Sequence, residues 1–500
     1  MRQADRGWSH PPPETPQPRK HTMALAQQFS RMRARRAAAR TRPAPANLPH
    51  VVVVGAGFAG RAAARGLLRR LHGRARITVI DQRDHFVYLP LLPEVAVGTI
   101  EPRRVAIALN RSLRGAELIT GAVDHIDVDA RTVSWRYVDG GHGRTGYDRL
   151  VVAVGSVGKL LPIPGVAENA HGFRSISEAL SLRDHMVRQV ELASVAVDPA
   201  ERAARLTFVT VGAGYTGTEV TAQGAALTAM LVADRPSLAE TPVRWMLLDH
   251  SARVLPELDS RLSGVADRVL HERGVDVRTG TSISEAMPGA VRLSTGSEVP
   301  THTLIWCVGV RPDPLVAALG LATDRGRLVV GTDLSVSDHP DIIACGDAAA
   351  VPDVTRHGAP TAMTAQHATR QGRLAARNIA ASLGYGRARR YRHHDLGFVV
   401  ELGGADAAAN PLGVPLSGVA AALVTRGYHL YAMPGNRIRV ALDWLVDACT
   451  GRQAIALSTI SARPEPLETT ASVTKSPAVL SSIQGHSTDL ETTLQRKERA

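Results

Sequence analysis

Five hundred residues and 53.2 kDa give room for two or three domains and a sizeable core, which excludes a small disulfide-stapled module. With 44% apolar and 21% charged residues, no stretch approaches the roughly 18 unbroken apolar residues of a membrane-spanning helix. The net charge of +13 is concentrated in residues 1–49, where nine Arg and Lys20 oppose Asp5 and Glu14, so the excess is no nucleic-acid footprint.

That first segment also holds eight Pro, including Pro11-Pro12-Pro13, and few large apolar residues, a composition that predicts a disordered arm. No apolar run follows its Arg cluster as a secretory signal requires. The folded body then opens with Val51-Val52-Val53-Val54 leading into Gly55-Ala56-Gly57-Phe58-Ala59-Gly60, an Ala/Arg/Leu helix, and Ile77-Thr78-Val79-Ile80-Asp81. Residues 206–211 lead into Gly212-Ala213-Gly214-Tyr215-Thr216-Gly217, a helix, and a strand ending in Asp249. A second pair of strands ends on Ala153-Val154-Gly155 and on Cys307-Val308-Gly309. Gly212 follows Gly55 by 157 residues and Gly309 follows Gly155 by 154, so the body is read as an internal duplication. The fold class is α/β, with two Rossmann-like dinucleotide-binding domains.

In each unit the first Gly permits the tight turn, the second lets backbone approach a diphosphate at a helix N-terminus, and the third lets helix pack on strand. Asp81 and Asp249 close the strands where a carboxylate can accept ribose hydroxyls. An acid at Asp249 disfavours a 2′-phosphate, so NADH is preferred over NADPH. Cys307, Cys345 and Cys449 stand far apart, and residues 1–306 hold no Cys, which argues against dithiol chemistry, zinc and disulfide scaffolding. A catalytic metal is not expected.

Asp341-Ile342-Ile343-Ala344-Cys345-Gly346-Asp347, after both units, looks like the flavin signature of two-dinucleotide-binding-domain flavoproteins; read alone, it is equally an ordinary strand-to-turn Gly-Asp. Residues 86–98, with Pro90 and Leu91, the segment 364–372 around Ala365 and Gln366, and Tyr428-His429-Leu430 before Pro434-Gly435-Asn436-Arg437 extend the likeness. Over residues 51–452 the chain resembles the type II, non-proton-pumping NADH:quinone oxidoreductases.

That resemblance implies FAD on Gly55, Gly57, Phe58, Ala59, Gly60, Asp81, Pro90, Leu91, Ala153, Gly155, Gly346, Asp347 and Ala365. It implies NADH on Gly212, Gly214, Tyr215, Thr216, Gly217, Glu219, Asp249 and Gly309. Glu219 and Gln366 take the catalytic positions; a Glu at a helix start equally complements the dipole, and a small-residue helix with Gln equally packs. Gln366 and Arg370 fall in the quinone segment, where Arg370 replaces the Gln of the family's A-Q-x-A-x-Q-x-G pattern. His367 is read as a surface or helix residue. The implied activity passes hydride from NADH to FAD and two electrons to menaquinone or ubiquinone. Arg370 suggests the alternative of a soluble enzyme with a non-quinone acceptor, and a third reading is a redox-responsive binding protein.

The expected organisation is an FAD-binding domain over 50–165 and 325–395, interrupted by an NAD(H)-binding domain over 166–324. A membrane-associating or dimerisation region over 396–457 and a solvated tail over 458–500 follow. Residues 437–450 read as a helix in which Arg439, Asp443, Asp447 and Thr450 share a narrow face and Ile438, Val440, Leu442, Trp444, Leu445 and Cys449 cover the rest. That suits a membrane interface, with Trp444 at its edge; it suits equally a helix docked on the protein's own core or on a second subunit. The resemblance favours a peripheral protein on the cytoplasmic face of the cell membrane, with a homodimer as a family expectation. The Arg-rich arm adds attraction to anionic lipid.

Overall fold

His50–Val54 forms a strand in which every residue is buried, the environment a run of β-branched side chains favours when both faces of a sheet are covered. In the computed structural model, which describes residues 48–450 and 452 except residue 395, this strand is the centre of the first sheet. The Pro-rich arm and the Ser/Thr-rich tail lie outside the described residues, and everything below belongs to the unit Pro49–Ala500.

The first sheet runs Ser335–Val336, His339–Ala344, Arg149–Val152, His50–Val54, Arg76–Asp81, Glu117–Thr120, parallel except for its short Ser335–Val336 edge. The second runs Ala170–His171, Thr303–Trp306, Thr207–Val211, Arg244–Asp249, Val275–Thr279, parallel throughout. Four strands share one order in the two sheets, Arg149–Val152, His50–Val54, Arg76–Asp81, Glu117–Thr120 in the first and Thr303–Trp306, Thr207–Val211, Arg244–Asp249, Val275–Thr279 in the second; beyond them the first sheet adds strands from late in the chain and the second adds Ala170–His171 from just before its glycine turn. Each also carries a three-stranded antiparallel meander, Ala122–Asp127 to His142–Gly146 before strand Arg149–Val152 in one and Ile283–Met287 to Glu298–Pro300 before strand Thr303–Trp306 in the other. The duplication read from the glycine turns is therefore a duplication of topology.

The chain leaves the first sheet after Val152 and rejoins it at Ser335, so the second unit is an insertion. Its exit and return strands, Ser156–Gly158 and Val310–Pro312, pair antiparallel with Val157 opposite Arg311. In the first unit, helix Phe58–Leu71 packs closely on helix Ala365–Ser382. A Cβ on Gly66 would lie 2.5 Å from the Ala376 Cβ, and one on Gly372 would lie 2.0 Å from the Ala59 carbonyl oxygen.

After these units come an antiparallel sheet, Val399–Gly403, Asp406–Ala409 and Leu416–Ser417, and two helices, Gly418–Ala432 and Arg437–Thr450. The sheet docks on the inserted unit. Arg273 donates to the Ala222 carbonyl at 2.9 Å and to Asp406 Oδ2 at 2.8 Å, and also reaches the carbonyls of Leu402 and Gly403. The last helix docks on the first unit, where Arg104 Nε donates to Asp443 Oδ2 at 3.1 Å and Asn436 Nδ2 donates to the Arg104 carbonyl at 2.9 Å. The C-terminal region thus straps both units.

Of the alternatives open for this helix, docking on the protein's own body holds for one face. Trp444 is buried, with Val440, against the protein's own body, because its indole N–H donates to Glu94. Asp443 belongs to the docked side, because it pairs with Arg104. Ile438, Leu442, Leu445 and Val446 remain exposed, so the helix has both a docked face and an apolar open one. No helix among the described residues is long and apolar enough to cross a membrane.

Candidate functional site

The two glycine turns are superimposable in their bonding. Gly55 and Gly212 have φ of +91° and +105°, the left-handed region only Gly enters freely, and their amides donate to the carbonyls of Ile80 and Leu248. A Cβ at Gly60 would lie 1.8 Å from the Gly55 carbonyl oxygen, and one at Gly217 lies equally close to that of Gly212. The third glycine is thus required by the turn's own carbonyl, before any packing of helix on strand. At Gly57 and Gly214, the N-caps of helices Phe58–Leu71 and Tyr215–Ala233, a Cβ would meet nothing within 4 Å. That open space over a helix N-terminus is the cradle a diphosphate fits.

Asp81 and Asp249 also match. Asp81 Oδ2 accepts the Ala56 amide at 2.6 Å and Oδ1 that of Arg83 at 2.8 Å. Asp249 accepts the amides of Ala213 at 2.6 Å and Ser251 at 2.7 Å. Each carboxylate therefore fixes its own glycine turn, and an oxygen with two lone pairs that accepts one amide can accept a hydroxyl as well; at Asp249 the Oδ1 also lies 3.4 Å from the His250 ring Nδ1.

The Gly346-Asp347 turn reaches the first unit's turn. Gly346 has φ of +73°, and a Cβ there would sit 3.0 Å from that of Ala59. The Gly346 amide donates to Gln371 Oε1 at 2.8 Å, while Gln371 Nε2 donates to Thr361 Oγ1. Asp347 Oδ2 accepts from Ser156 Oγ at 2.6 Å, and Arg174 Nη2 donates to the Ser156 carbonyl at 2.9 Å. Gly155, at φ +79° with no neighbour for a Cβ, lies beside Ser156 at the end of the Arg149–Val152 strand, and Ala153 closes against Gly55. These groups line one cradle of backbone and carboxylate, the donor set an FAD ribityl-diphosphate needs. In the residue 86–98 loop Leu91 is buried, Pro90 is partly exposed, and Phe86 packs edge-on against Phe58 at 4.8 Å.

A cleft at the carboxyl ends of the second sheet is lined by Gly158, Arg174, Glu178, Thr216, Cys307 and Gly309, the place where open α/β sheets bind ligands. Tyr215, at the start of the glycine helix, stacks on Phe398. Burial pushes the thiols of Cys307 and Cys345 up to about 12, and the three cysteines are free. Neither of these two thiols is poised as a thiolate nucleophile.

Helix Ala365–Ser382 is capped by Thr364 Oγ1 on the His367 amide at 3.3 Å. Gln366 is held at both ends, donating to the Gly397 carbonyl at 2.9 Å and accepting from Arg370 Nη1 at 3.0 Å. His367 lies in this helix as expected and is partly exposed; its Nδ1 is 2.7 Å from the Tyr391 hydroxyl and its ring stacks on that of His393. Glu219 is partly buried and its Oε1 accepts the amide of Glu401 at 3.1 Å. Burial, then the charges of Glu401 and Glu94, hold its carboxyl well above the usual range. Gln371, Ser156, Arg174, Glu94 and Glu401 escaped the sequence reading, since each acts through a partner distant in sequence and carries no local pattern.

Residues 49–372 match the model of the pyridine nucleotide-disulphide oxidoreductases. The type II NADH:quinone oxidoreductase Ndh of Mycobacterium tuberculosis is 31% identical over 431 residues, covering 82% of this chain and 90% of that protein. The chain belongs to the type II NADH:quinone oxidoreductase family. Another relative in sequence, demethylphylloquinone reductase NdbB of Synechocystis, is 29% identical over 79% of this chain and 96% of its own length. The solved structure of NDH2 from Plasmodium falciparum in complex with NADH shares the fold, with a TM-score of 0.73 over 81% of this chain and 99% of that one, at 16% identity.

Proposed function

We propose that this type II enzyme is an FAD-dependent NADH:quinone oxidoreductase that pumps no protons. The observation that carries the reading is the pair of matched glycine turns in a chain whose sequence likeness to the mycobacterial enzyme spans 90% of that protein. Bound FAD supplies the two-electron chemistry. The chain's own residues do the rest. Gly55, Gly57, Gly60, Asp81 and the Gly346-Asp347 turn hold the flavin nucleotide, and Ser156 and Gln371 keep that turn in place. Gly212, Gly214, Gly217 and Asp249 hold NADH, and Asp249 at the ribose selects against the 2′-phosphate of NADPH. Glu219 holds a proton near the junction of the units, and Gln366 presents a fixed amide on the acceptor side.

The exposed apolar residues of helix Arg437–Thr450, together with Val419, Leu423 and Tyr431 of helix Gly418–Ala432, fit attachment to a membrane on its cytoplasmic face. The same face would serve a homodimer. The experiment is anaerobic NADH oxidation by the flavin-loaded protein with and without a short-chain menaquinone or ubiquinone analogue. Fast quinone-dependent turnover is expected. Flavin reduction by NADH without quinone turnover moves the reading to a soluble oxidoreductase with another acceptor, the alternative that Arg370 beside Gln366 favours.

A further inference from the structure

Three glutamates lie within reach of one another's charge where the two units and the C-terminal strap join. Glu94 comes from helix Leu92–Ala96 of the first unit, Glu219 from the glycine helix of the second, and Glu401 from strand Val399–Gly403. Glu219 Oε1 accepts the Glu401 amide at 3.1 Å. Arg426 donates to Glu401 Oε1 at 3.5 Å and lies 5.5 Å from the Trp444 ring centroid, and Trp444 Nε1 donates to Glu94 Oε2. The contacts run from Glu219 to the backbone amide of Glu401, and from the Glu401 carboxyl through Arg426 and Trp444 to Glu94.

Glu94 and Glu401 are 4% and 3% exposed, and Glu94 Oε1 and Glu401 Oε2 accept no hydrogen bond from the protein. A buried carboxylate without a donor is costly, and the inexpensive remedy is to keep a proton. Arg426 ion-pairs with Glu401 at 3.5 Å, whereas Glu94 is bonded by the neutral Trp444 indole and feels Arg426 and Arg452 only through their charges.

We propose that Glu94, Glu219 and Glu401 share protons as one buried group, in which Glu401 and Glu94 are positioning residues that load Glu219 with a proton for quinone reduction. The proposal rests on the activity proposed above. In that activity NADH, a quinone and one proton give NAD⁺ and quinol; NADH yields two electrons and one hydrogen as hydride, so the second quinol proton comes from water. It reaches the quinone through Glu219, which is reprotonated from its two neighbours. The electrostatics agree. Burial pushes Glu94 up to about 7 and Glu401 up to about 8. At Glu94 the Trp444 indole, Arg426 and Arg452 oppose that rise and Asp447 adds to it; at Glu401 the Glu94 charge adds and Arg426 and Arg273 oppose. Glu219 faces the charges of Glu401 and Glu94.

The test uses flavin-loaded wild type, Glu401→Gln, Glu401→Asp, Glu94→Gln and Arg426→Gln. It records the infrared band of protonated carboxyl groups against pH, in light and heavy water, beside the pH profile of quinone-dependent kcat. Wild type is expected to keep a protonated-carboxyl band at neutral pH and to lose it as pH passes about 8. Glu401→Gln and Glu94→Gln should each weaken the band. By removing a negative neighbour, each should also move the alkaline limb of kcat down by about one pH unit, a tenfold change in proton affinity. Arg426→Gln removes the cation and should move both upward; Glu401→Asp should restore the wild-type limb. A KM for NADH unchanged throughout separates this from a distorted nucleotide site. Wild-type band and limb retained in both Gln variants overturn the proposal, and a non-folding Glu401→Gln leaves Glu94→Gln and Arg426→Gln to decide it by their opposite signs. The infrared titration needs no quinone, so a wild type inactive with every quinone overturns the activity while the band still tests the shared proton.

Discussion

Arg370 donates a hydrogen bond to the side-chain oxygen of Gln366, one helical turn before it, at 3.0 Å. The Gln366 amide nitrogen is spent on the Gly397 carbonyl, and Arg370 also approaches His393 Nδ1 at 3.2 Å. The departure from the family pattern at position 370 therefore fixes the amide beside it. Arg370→Ala is expected to raise the KM for quinone by roughly tenfold, the size of one charge-assisted hydrogen bond lost, and to leave the KM for NADH within twofold. Steady-state kinetics with each substrate varied in turn checks the split; equal changes in both constants would show that Arg370 acts on the fold.

Gly57 and Gly60 stand three residues apart and call for opposite outcomes. At Gly57 a methyl group finds open space in the protein and obstructs only what occupies the cradle. At Gly60 it would fall 1.8 Å from the Gly55 carbonyl oxygen, a clash that backbone cannot relieve. Gly57→Ala is expected to fold with an apoprotein Tm near wild type and to bind FAD at least tenfold more weakly; Gly60→Ala is expected to give no soluble folded protein. Flavin titration and thermal melts distinguish the two.

The parallel sheets, the inserted second unit and the two glycine turns were legible because four-Val strands and Gly spacing are local signals. So were Asp81 and Asp249, each at the end of its strand. Gln371 was not, since its duty to the Gly346 amide exists only once two helices and a turn have met. Glu401 is hidden for the same reason, lying 182 residues from Glu219 in sequence. The wheel of helix Arg437–Thr450 gave its wide apolar face but left open what covers Trp444, because amphipathicity says which residues avoid water and not which neighbour covers them.

Burial of Glu94 and Glu401 gives stability a definite pH dependence. Both fold with carboxyl groups that hold protons to about 7 and about 8, above their ordinary value of 4.5. Between those limits the folded state binds more protons than the unfolded one, so stability falls as pH rises through that window and levels off above about 8. Glu401→Gln carries no such proton and should flatten the fall. Thermal melts of the holoenzyme from pH 5 to pH 9, at about one-unit steps, test it; a variant whose Tm tracks wild type at every pH would refute the assignment.

On helix Arg437–Thr450, Leu442 and Leu445 are 52% and 58% exposed while Val440 and Trp444 are covered by the protein. Replacing both Leu by Glu touches nothing the fold relies on, so Tm should stay within about 2 °C, the scale of a surface change. Burying a Leu side chain contributes roughly 1.5–3 kcal/mol, and transferring a Glu into an interface adds a penalty, so liposome partitioning should fall by about a hundredfold or more for the pair. Co-sedimentation with vesicles containing anionic lipid measures it, and sedimentation velocity of the same samples reports on self-association. If vesicle binding is unchanged and a wild-type dimer becomes monomeric, the open face belongs to a second copy of the chain; lost binding with unaltered association assigns it to the membrane.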